Sequence, residues 1–214
     1  MTLHRVISHS AAVLPEPVLY FFALLGSVTQ SGPPVKWLLG HNLHHKHADT
    51  AKDPILPTLK GLNHMMGVFT AVDENEYTKI LFTQAHSPVF KDRFLKSLND
   101  YLYLYTFGIY TLVFAIFGMK GLSAFIIGNV GALVATSVIT FLAHVKILGT
   151  QTHEMPNNSV NVYGTFLLFF GEEIHNNHHA RPKAISNSEH FSQVDIVGLI
   201  LNLVKKTESR RSYV

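Results

Sequence analysis

Apolar positions in this chain form short runs bounded by polar residues and two long runs that carry no charge. Val18 to Val28 is uninterrupted after the Pro15-Glu16-Pro17 break. It is shorter than the roughly 20 residues that carry a helix across a hydrocarbon core, so it predicts a non-spanning, buried or interfacial helix over 18–28. Gln30 to Pro34 reads as a loop, and Trp37 opens the next helical stretch. Residues 61–100 are mixed and polar, which predicts short helices at a membrane face. Tyr101 to Phe117 and Gly121 to Val145 are free of charge. As helices they measure roughly 26 Å and 37 Å, and with Gly118-Met119-Lys120 as the turn they predict a transmembrane hairpin over 101–117 and 121–145. Thr165 to Phe170 is too short to span. Val194 to Val204 is amphipathic and ends at Lys205-Lys206, which predicts a helix along the interface, and Ser209-Arg210-Arg211-Ser212 suits anionic headgroups.

Charge supports the membrane reading. Only 14% of the 214 residues are charged while 47% are hydrophobic, against roughly 25% charged in an ordinary soluble domain. Lys91, Arg93 and Lys96 precede the hairpin and Lys146 follows it, against Lys120 alone in the turn, so both open ends face the cytoplasm. The sequence pI near 9.0 comes from Lys and Arg beside apolar runs, which points to lipid headgroups and not to nucleic acid. The length suits one domain. With no cysteine, disulfides, thiolate metal sites, iron–sulfur clusters and a cysteine nucleophile are excluded.

The 14 histidines supply the candidate chemistry. His175, His178 and His179 stand at i, i+3 and i+4, on one side of a helix where their imidazoles converge on one point. The same HxxHH spacing recurs at His41, His44 and His45, and His4 and His9 stand at the start. A step of five puts His4 and His9 roughly 140° apart on an α-helix, so the pair serves two metals or straddles a helix end. His144 closes the second hairpin run with Thr140 one turn before it, and a histidine there is a functional candidate because burial near lipid needs a partner. Two crossings return the second and third clusters to the same side. Asp49 and Asp53 are placed to accept the second N–H of a ligand imidazole. His47 is a further neighbour of the second cluster, whereas His64, His86, His153 and His190 lie outside the pattern. Structural zinc mostly enlists cysteine, HExxH is absent, and only Glu172 with His175 fits the Glu-x-x-His of soluble di-iron proteins. Imidazole suits iron, copper, nickel or zinc.

His4–His9 as HxxxxH and the two HxxHH clusters resemble, in order and spacing, the three histidine boxes of membrane-bound fatty acyl desaturases. The five-residue step of the first box is similar to the delta-9, acyl-CoA-desaturase-like branch. Gln30-Ser31-Gly32, Trp37 four residues before His41, His45-Lys46 with Asp49-Thr50 and Asp53-Pro54, Asn158-Ser159-Val160-Asn161 and Phe170-Gly171-Glu172 extend the resemblance over nearly the whole chain.

The resemblance implies an all-α integral membrane fold with a cytosolic, histidine-rich cap holding two irons. The implied ligands are His4, His9, His41, His44, His45, His144, His175, His178 and His179, with no catalytic residue beyond the metal centre. Thr140 stands where the family commonly has an asparagine that reaches iron through water. Asp49 and His47 are implied as outer neighbours, and Gln30 and Trp37 as tunnel-lining candidates. Oxygen, with electrons from an external cytochrome b5-like or ferredoxin donor, would introduce a cis double bond into an acyl chain carried on CoA, carrier protein or lipid. The family carries two membrane helices ahead of the first box, and this chain starts three residues before it; it reads either as a fragment or as a short form. Gly40, Asn42 and Glu173-Ile174 also depart from the pattern, without removing a ligand. A membrane di-iron hydroxylase or ketolase, or an inactive metal-binding remnant, remains as the alternative.

Overall fold

The computed structural model describes residues 2–55, 74–85, 87–164 and 169–206, the side chains of 30, 31 and 88 excepted. Among these residues the architecture is helical, and extended pairing is limited to isolated bridges of Asn161 with Thr150 and with Ile174. A π-helical segment, Thr2–Ser8, is followed by α1 (Glu16–Gly26), a second π-helical turn (Ser27–Ser31) and α2 (Pro34–His47). Then come α3 (Glu74–Thr83), α4 (Pro88–Lys91), α5 (Arg93–Asp100), α6 (Leu102–Leu142), α7 (His175–Ala180) and α8 (Ile196–Val204).

The short apolar run is α1, starting two residues before the run itself because proline is tolerated in a first helical turn, where its missing N–H has no intrahelical partner. The stretch expected as a loop after it is instead the π-helical turn up to Ser31, and α2 begins at Pro34. The short helices expected within 61–100 are α3 to α5; residues 61–73 lie outside the described residues, as do 165–168 of the run too short to span and the basic tail.

One apolar core joins the first π-helical segment, α1, α2 and α5 through Leu3, Ile7, Ala23, Leu38, Leu95 and Leu98. Leu95 and Leu98 lie one turn apart on α5 and are fully buried, each contributing about 1.5–3 kcal/mol. The polar side of α5 does the aligning. Asp92 caps it by accepting from Leu95 N and also takes the Tyr20 hydroxyl at 2.6 Å, and Asn99 accepts Val35 N at the start of α2, where Pro34 has no N–H to offer. The histidine-bearing α2 is therefore fixed at its N-terminus before its histidines are reached. A second core packs Leu14 against Val197 and Leu201 of α8.

The two uncharged runs form α6, whose helical path breaks at Gly118 (φ 64°, ψ −165°). There the chain reverses. Asn129 Nδ2 lies 3.3 Å from the Tyr110 hydroxyl and the Phe125 and Tyr110 rings are 5.4 Å apart, whereas one unbroken helix would separate residues 110 and 129 by about 28 Å. The backbone of Gly118 is a region open essentially to glycine alone. A Cβ on Gly121 would meet Phe117 Cβ at 2.1 Å, so the reversal also needs a glycine there. The second half ends at Leu142 and not at 145, because Ala143 N and His144 N bond the Ile139 and Phe141 carbonyls in a tightened last turn. His144 consequently sits just beyond the helix. The outer surface of the hairpin is apolar and open, with Tyr103 91%, Phe107 70% and Ile127 71% exposed.

Gly118→Ala is expected to destabilise the protein by about 1–3 kcal/mol. Gly108→Ala, where nothing approaches an added Cβ within 4 Å, is expected to stabilise the helix by about 0.5–1 kcal/mol. Thermal midpoints in one detergent compare the two, and equal midpoints would contradict a reversal that depends on Gly118.

Candidate metal centre

Backbone geometry decides which histidines meet. In a π-helix hydrogen bonds run from i to i+5, so residues five apart come round to the same side. Thr2–Ser8 is such a segment, and His4 within it and His9 just past its end join one cluster. Of the two arrangements expected from an α-helical step, straddling a helix end is the one found, and the pair is not divided between two groups.

The HxxHH boxes behave differently from the expectation that three imidazoles converge on one point. Residues i and i+4 of a helix differ by about 40°, but i+3 and i+4 differ by about 100°. Each box therefore splits. His41 and His45 of α2 join His4, His9 and His178 in one group, while His175 and His179 of α7 join His44 and His144 in the other. Each helix gives two ligand atoms to one group and one to the other. Within each group the candidate atoms all lie within 4.8 Å of one another, and the stacked rings of His45 and His179, 4.3 Å apart, connect the groups.

The contacts are those of ligands and not of a hydrogen-bonded chain. His178 Nε2 lies 2.9 Å from His4 Nε2 and 3.0 Å from His45 Nε2; His41 Nε2 lies 2.8 Å from His9 Nε2 and 3.1 Å from His45 Nε2. A neutral imidazole nitrogen has one N–H or one lone pair to offer, so it cannot bond two such neighbours at once. In the second group His175 Nε2 stands 3.2 Å from His144 Nε2 and 3.1 Å from His179 Nε2, and His44 Nε2 is buried without a partner among the described residues. With a metal–nitrogen bond of about 2.1 Å, neighbouring octahedral ligands sit about 3.0 Å apart, so the residues fit a metal ion in each group.

Three of the opposite ring nitrogens are tied to carboxylates, whereas His178 Nδ1 is buried without a partner among the described residues. His44 Nδ1 donates to Asp53 at 3.0 Å, His144 Nδ1 to Asp49 at 3.1 Å, and His4 Nδ1 to Glu172 at 2.7 Å. A carboxylate on Nδ1–H fixes the tautomer that leaves the Nε2 lone pair free and raises its basicity. Burial, then repulsion from neighbouring histidines, holds His41, His45, His175, His178 and His179 well below the ordinary imidazole pKa and takes His9 to about 3. These six imidazoles are therefore neutral, as a metal ligand must be.

A second layer of amides holds α7 itself. Asn161 Oδ1 accepts the first free N–H groups of that helix, from Asn176 and Asn177, and Asn161 Nδ2 donates to Asn177 Oδ1 at 2.7 Å. Asn176 Nδ2 donates to the carbonyls of His153 and Ser159. All of these asparagines are buried. Arg5, between the two histidines of the first box, is fully buried and bonds Glu172 and Asp195. Asn176, Asn177, Arg5 and Asp195 are not among the candidates that the sequence puts forward. The paired Asn176-Asn177 inside a histidine box and a charge inside the first box were the available signals.

Other candidates fall elsewhere. His47 Nε2 meets Glu76, which also takes Lys46 and Lys79, so His47 faces that surface cluster and is not an outer neighbour of the groups. The Thr140 hydroxyl donates to the Thr136 carbonyl. Trp37 lies parallel to His41 with ring centres 6.1 Å apart, its buried Nε1 without a partner among the described residues; the Gln30 side chain lies outside them. His153 pairs with Glu189, and His64 and His86 lie outside the described residues.

A model of the fatty acid desaturase family matches residues 2–189. The chain belongs to that family. It is 28% identical over 231 residues to the probable chloroplastic lipid desaturase ADS3.2 of Arabidopsis thaliana, covering 98% of this chain and 60% of that protein. It is 28% identical to the delta-9 acyl-lipid desaturase 1 of the same plant, over 99% of this chain and 72% of the relative. To the sn-1 stearoyl-lipid 9-desaturase of Anabaena variabilis it is 26% identical, over 94% and 73% respectively. The chain thus spans well short of the full length of these relatives.

Two consequences are measurable. His9, His41, His45, His175, His178 and His179 have folded pKa values below the ordinary 6.5, so below about pH 6.5 the unfolded chain takes up protons that the folded chain refuses. Stability of the metal-free chain is expected to fall on acidification through that window, by about 1.4 kcal/mol per pH unit for each such imidazole, and to level off above about pH 7. Denaturant midpoints that stay flat from pH 7 to 5 would contradict buried neutral histidines. Asn161→Ala should cost about 1–3 kcal/mol by leaving buried amide groups unpaired, while Asn202→Ala, which removes an exposed bond from Lys205, should stay within about 0.5 kcal/mol. Equal unfolding midpoints for the two variants would remove Asn161 from the scaffold.

Proposed function

We propose that this member of the desaturase family is a membrane acyl desaturase of delta-9 type, with residues 1–214 as one domain and two irons held by the nine clustered histidines. The observation that carries the reading is the division of His4, His9, His41, His45 and His178 from His44, His144, His175 and His179 into two all-imidazole groups. Bound there, iron supplies oxygen activation: an acyl CH2–CH2 loses two hydrogens to become a cis CH=CH, while O2, two electrons from an external donor and two protons complete two waters.

The chain's own part is to hold and exclude. Asp53, Asp49 and Glu172 aim His44, His144 and His4, and burial keeps the remaining imidazoles neutral and the site dry. No side chain serves as acid or base. The Thr140 hydroxyl oxygen keeps a lone pair with which to hold a water one turn before His144.

The α6 hairpin is the membrane anchor in this reading. Its halves measure roughly 24 Å and 36 Å against a hydrocarbon core of about 30 Å, and its outward side chains are apolar and open. Such a surface is stable in lipid and not in water. The basic residues at its open end favour the cytoplasmic face for that end and for His144 beside it. The substrate is an acyl lipid, in keeping with the names of two relatives, with acyl-CoA and an acyl carrier as the other carriers. The donor is a cytochrome b5-like protein or a ferredoxin.

Expression in a desaturase-deficient host, followed by gas chromatography–mass spectrometry of total fatty acids, tests this. A new monounsaturated acid is expected, lost in His178→Ala. A hydroxylated or keto acid in its place would move the reaction to the alternative class, and no product from a well-expressed, metal-loaded chain would mark a remnant without turnover.

A further inference from the structure

One buried charge stands beside the first group of histidines without being part of it. The side chain of Arg5 has no exposed surface, and its four terminal N–H groups are all engaged: Nη1 with Asp195 at 2.6 Å and the Ile185 carbonyl at 3.3 Å, Nη2 with Glu172 at 3.1 Å and the Gly171 carbonyl at 3.4 Å. These partners come from the far end of the chain. Asp195 is itself committed, since it caps α8 by accepting Gly198 N and takes Asn187 N.

Glu172 completes the path. Its Oε1 accepts from Arg5 and its Oε2 accepts His4 Nδ1 at 2.7 Å, while His4 Nε2 faces His178 Nε2 in the five-histidine group. A carboxylate held at one oxygen by a guanidinium has its other oxygen aimed, and that oxygen fixes the ring of His4. We infer that Arg5 is a positioning residue for the five-histidine site, acting through Glu172 on His4, with Asp195 as its fixed post. The inference rests on the metal-centre reading above and extends it to residues that bind no metal.

The fork of the guanidinium is what the task requires. Two carboxylates on different segments must be bonded along different directions, together with two carbonyls, and a lysine ammonium supplies a point charge without that planar fork. Arg5→Lys therefore keeps the charge and loses the aim. Asp53, on Nδ1 of His44, does the corresponding work for the four-histidine site by direct contact, which makes it a natural comparison.

The test is Co(II) binding to the purified, metal-stripped full chain in detergent, followed by visible absorption and by calorimetry. Wild type is expected to take up two ions. Arg5→Lys and Glu172→Gln should each weaken one site 10–100-fold, the range typical for a lost partner behind a ligand, and leave the other within twofold. The two together should lose no more than Glu172→Gln alone, because they act along one path. Asp53→Asn should weaken the other site and add to Arg5→Lys. Unchanged affinities, equal weakening of both sites, or additive effects of Arg5→Lys and Glu172→Gln would each overturn the inference while the metal centre stands. A wild-type chain that binds fewer than two ions would overturn the metal-centre reading and this inference with it.

Discussion

Imidazole nitrogens set about 3 Å apart, lone pair toward lone pair, are the constraint on which the rest of this molecule depends. Water has little access to soften the arrangement, because His44, His144 and His178 are 1% exposed, His4, His9, His41, His175 and His179 are also buried, and His45 is partly buried. Protonation would not relieve it either, since several positive rings in one buried volume would repel more strongly than neutral ones. The fold has to hold the rings against their mutual preference to separate, and a cation between them turns the same arrangement from unfavourable to favourable. Stiffness at the back of the rings is therefore expected, and for His44, His144 and His4 it is found at Asp53, Asp49 and Glu172.

The same requirement explains where the buried polar groups lie. A cap built of aliphatic side chains alone could not fix α7, which spans only His175–Ala180 and is too short to be stable by itself. Asn161 closes its N-terminus from outside, and Asn176 and Asn177 bind the loops on either side. The apolar core of Leu38, Leu95 and Leu98 performs the equivalent work for the longer α2. One histidine-bearing helix is held by packing and the other by amides.

Periodicity carried the sequence a long way. The long uncharged runs, the glycine turn and the short apolar helix were all legible because side-chain period and charge report burial directly. The structure gathers the six histidines that the HxxHH spacing singles out, together with His4 and His9, which the family resemblance added, and His144, which its place at the end of the second apolar run put forward. What was not legible follows from local geometry and long-range contact. A step of five looks divergent on an α-helix, and nothing in Thr2–Ser8 announces a π-helix. Arg5 and Asp195 are neighbours only in space, as are Asn161 and the start of α7, and a single sequence has no term for contacts between residues so far apart. His47 misled for the opposite reason: it is adjacent to a box in sequence, yet its ring meets Glu76 on another helix.

The division of each HxxHH box explains why two such boxes are needed. One helix offers an i, i+4 stripe and, about 100° round from its second member, an i+3 position. A single helix can therefore give two ligands to one centre and one to its neighbour, but cannot complete either. A second helix facing it with the roles exchanged supplies one to the first and two to the second, and the sum is three at each. The remaining ligands then need no box of that form: the π-helical pair brings the first centre to five, and His144 brings the second to four. The spacing within a box is thus fixed by the rotation of the helix, and the count at each centre by which end of the hairpin and which turn of the first segment lie closest.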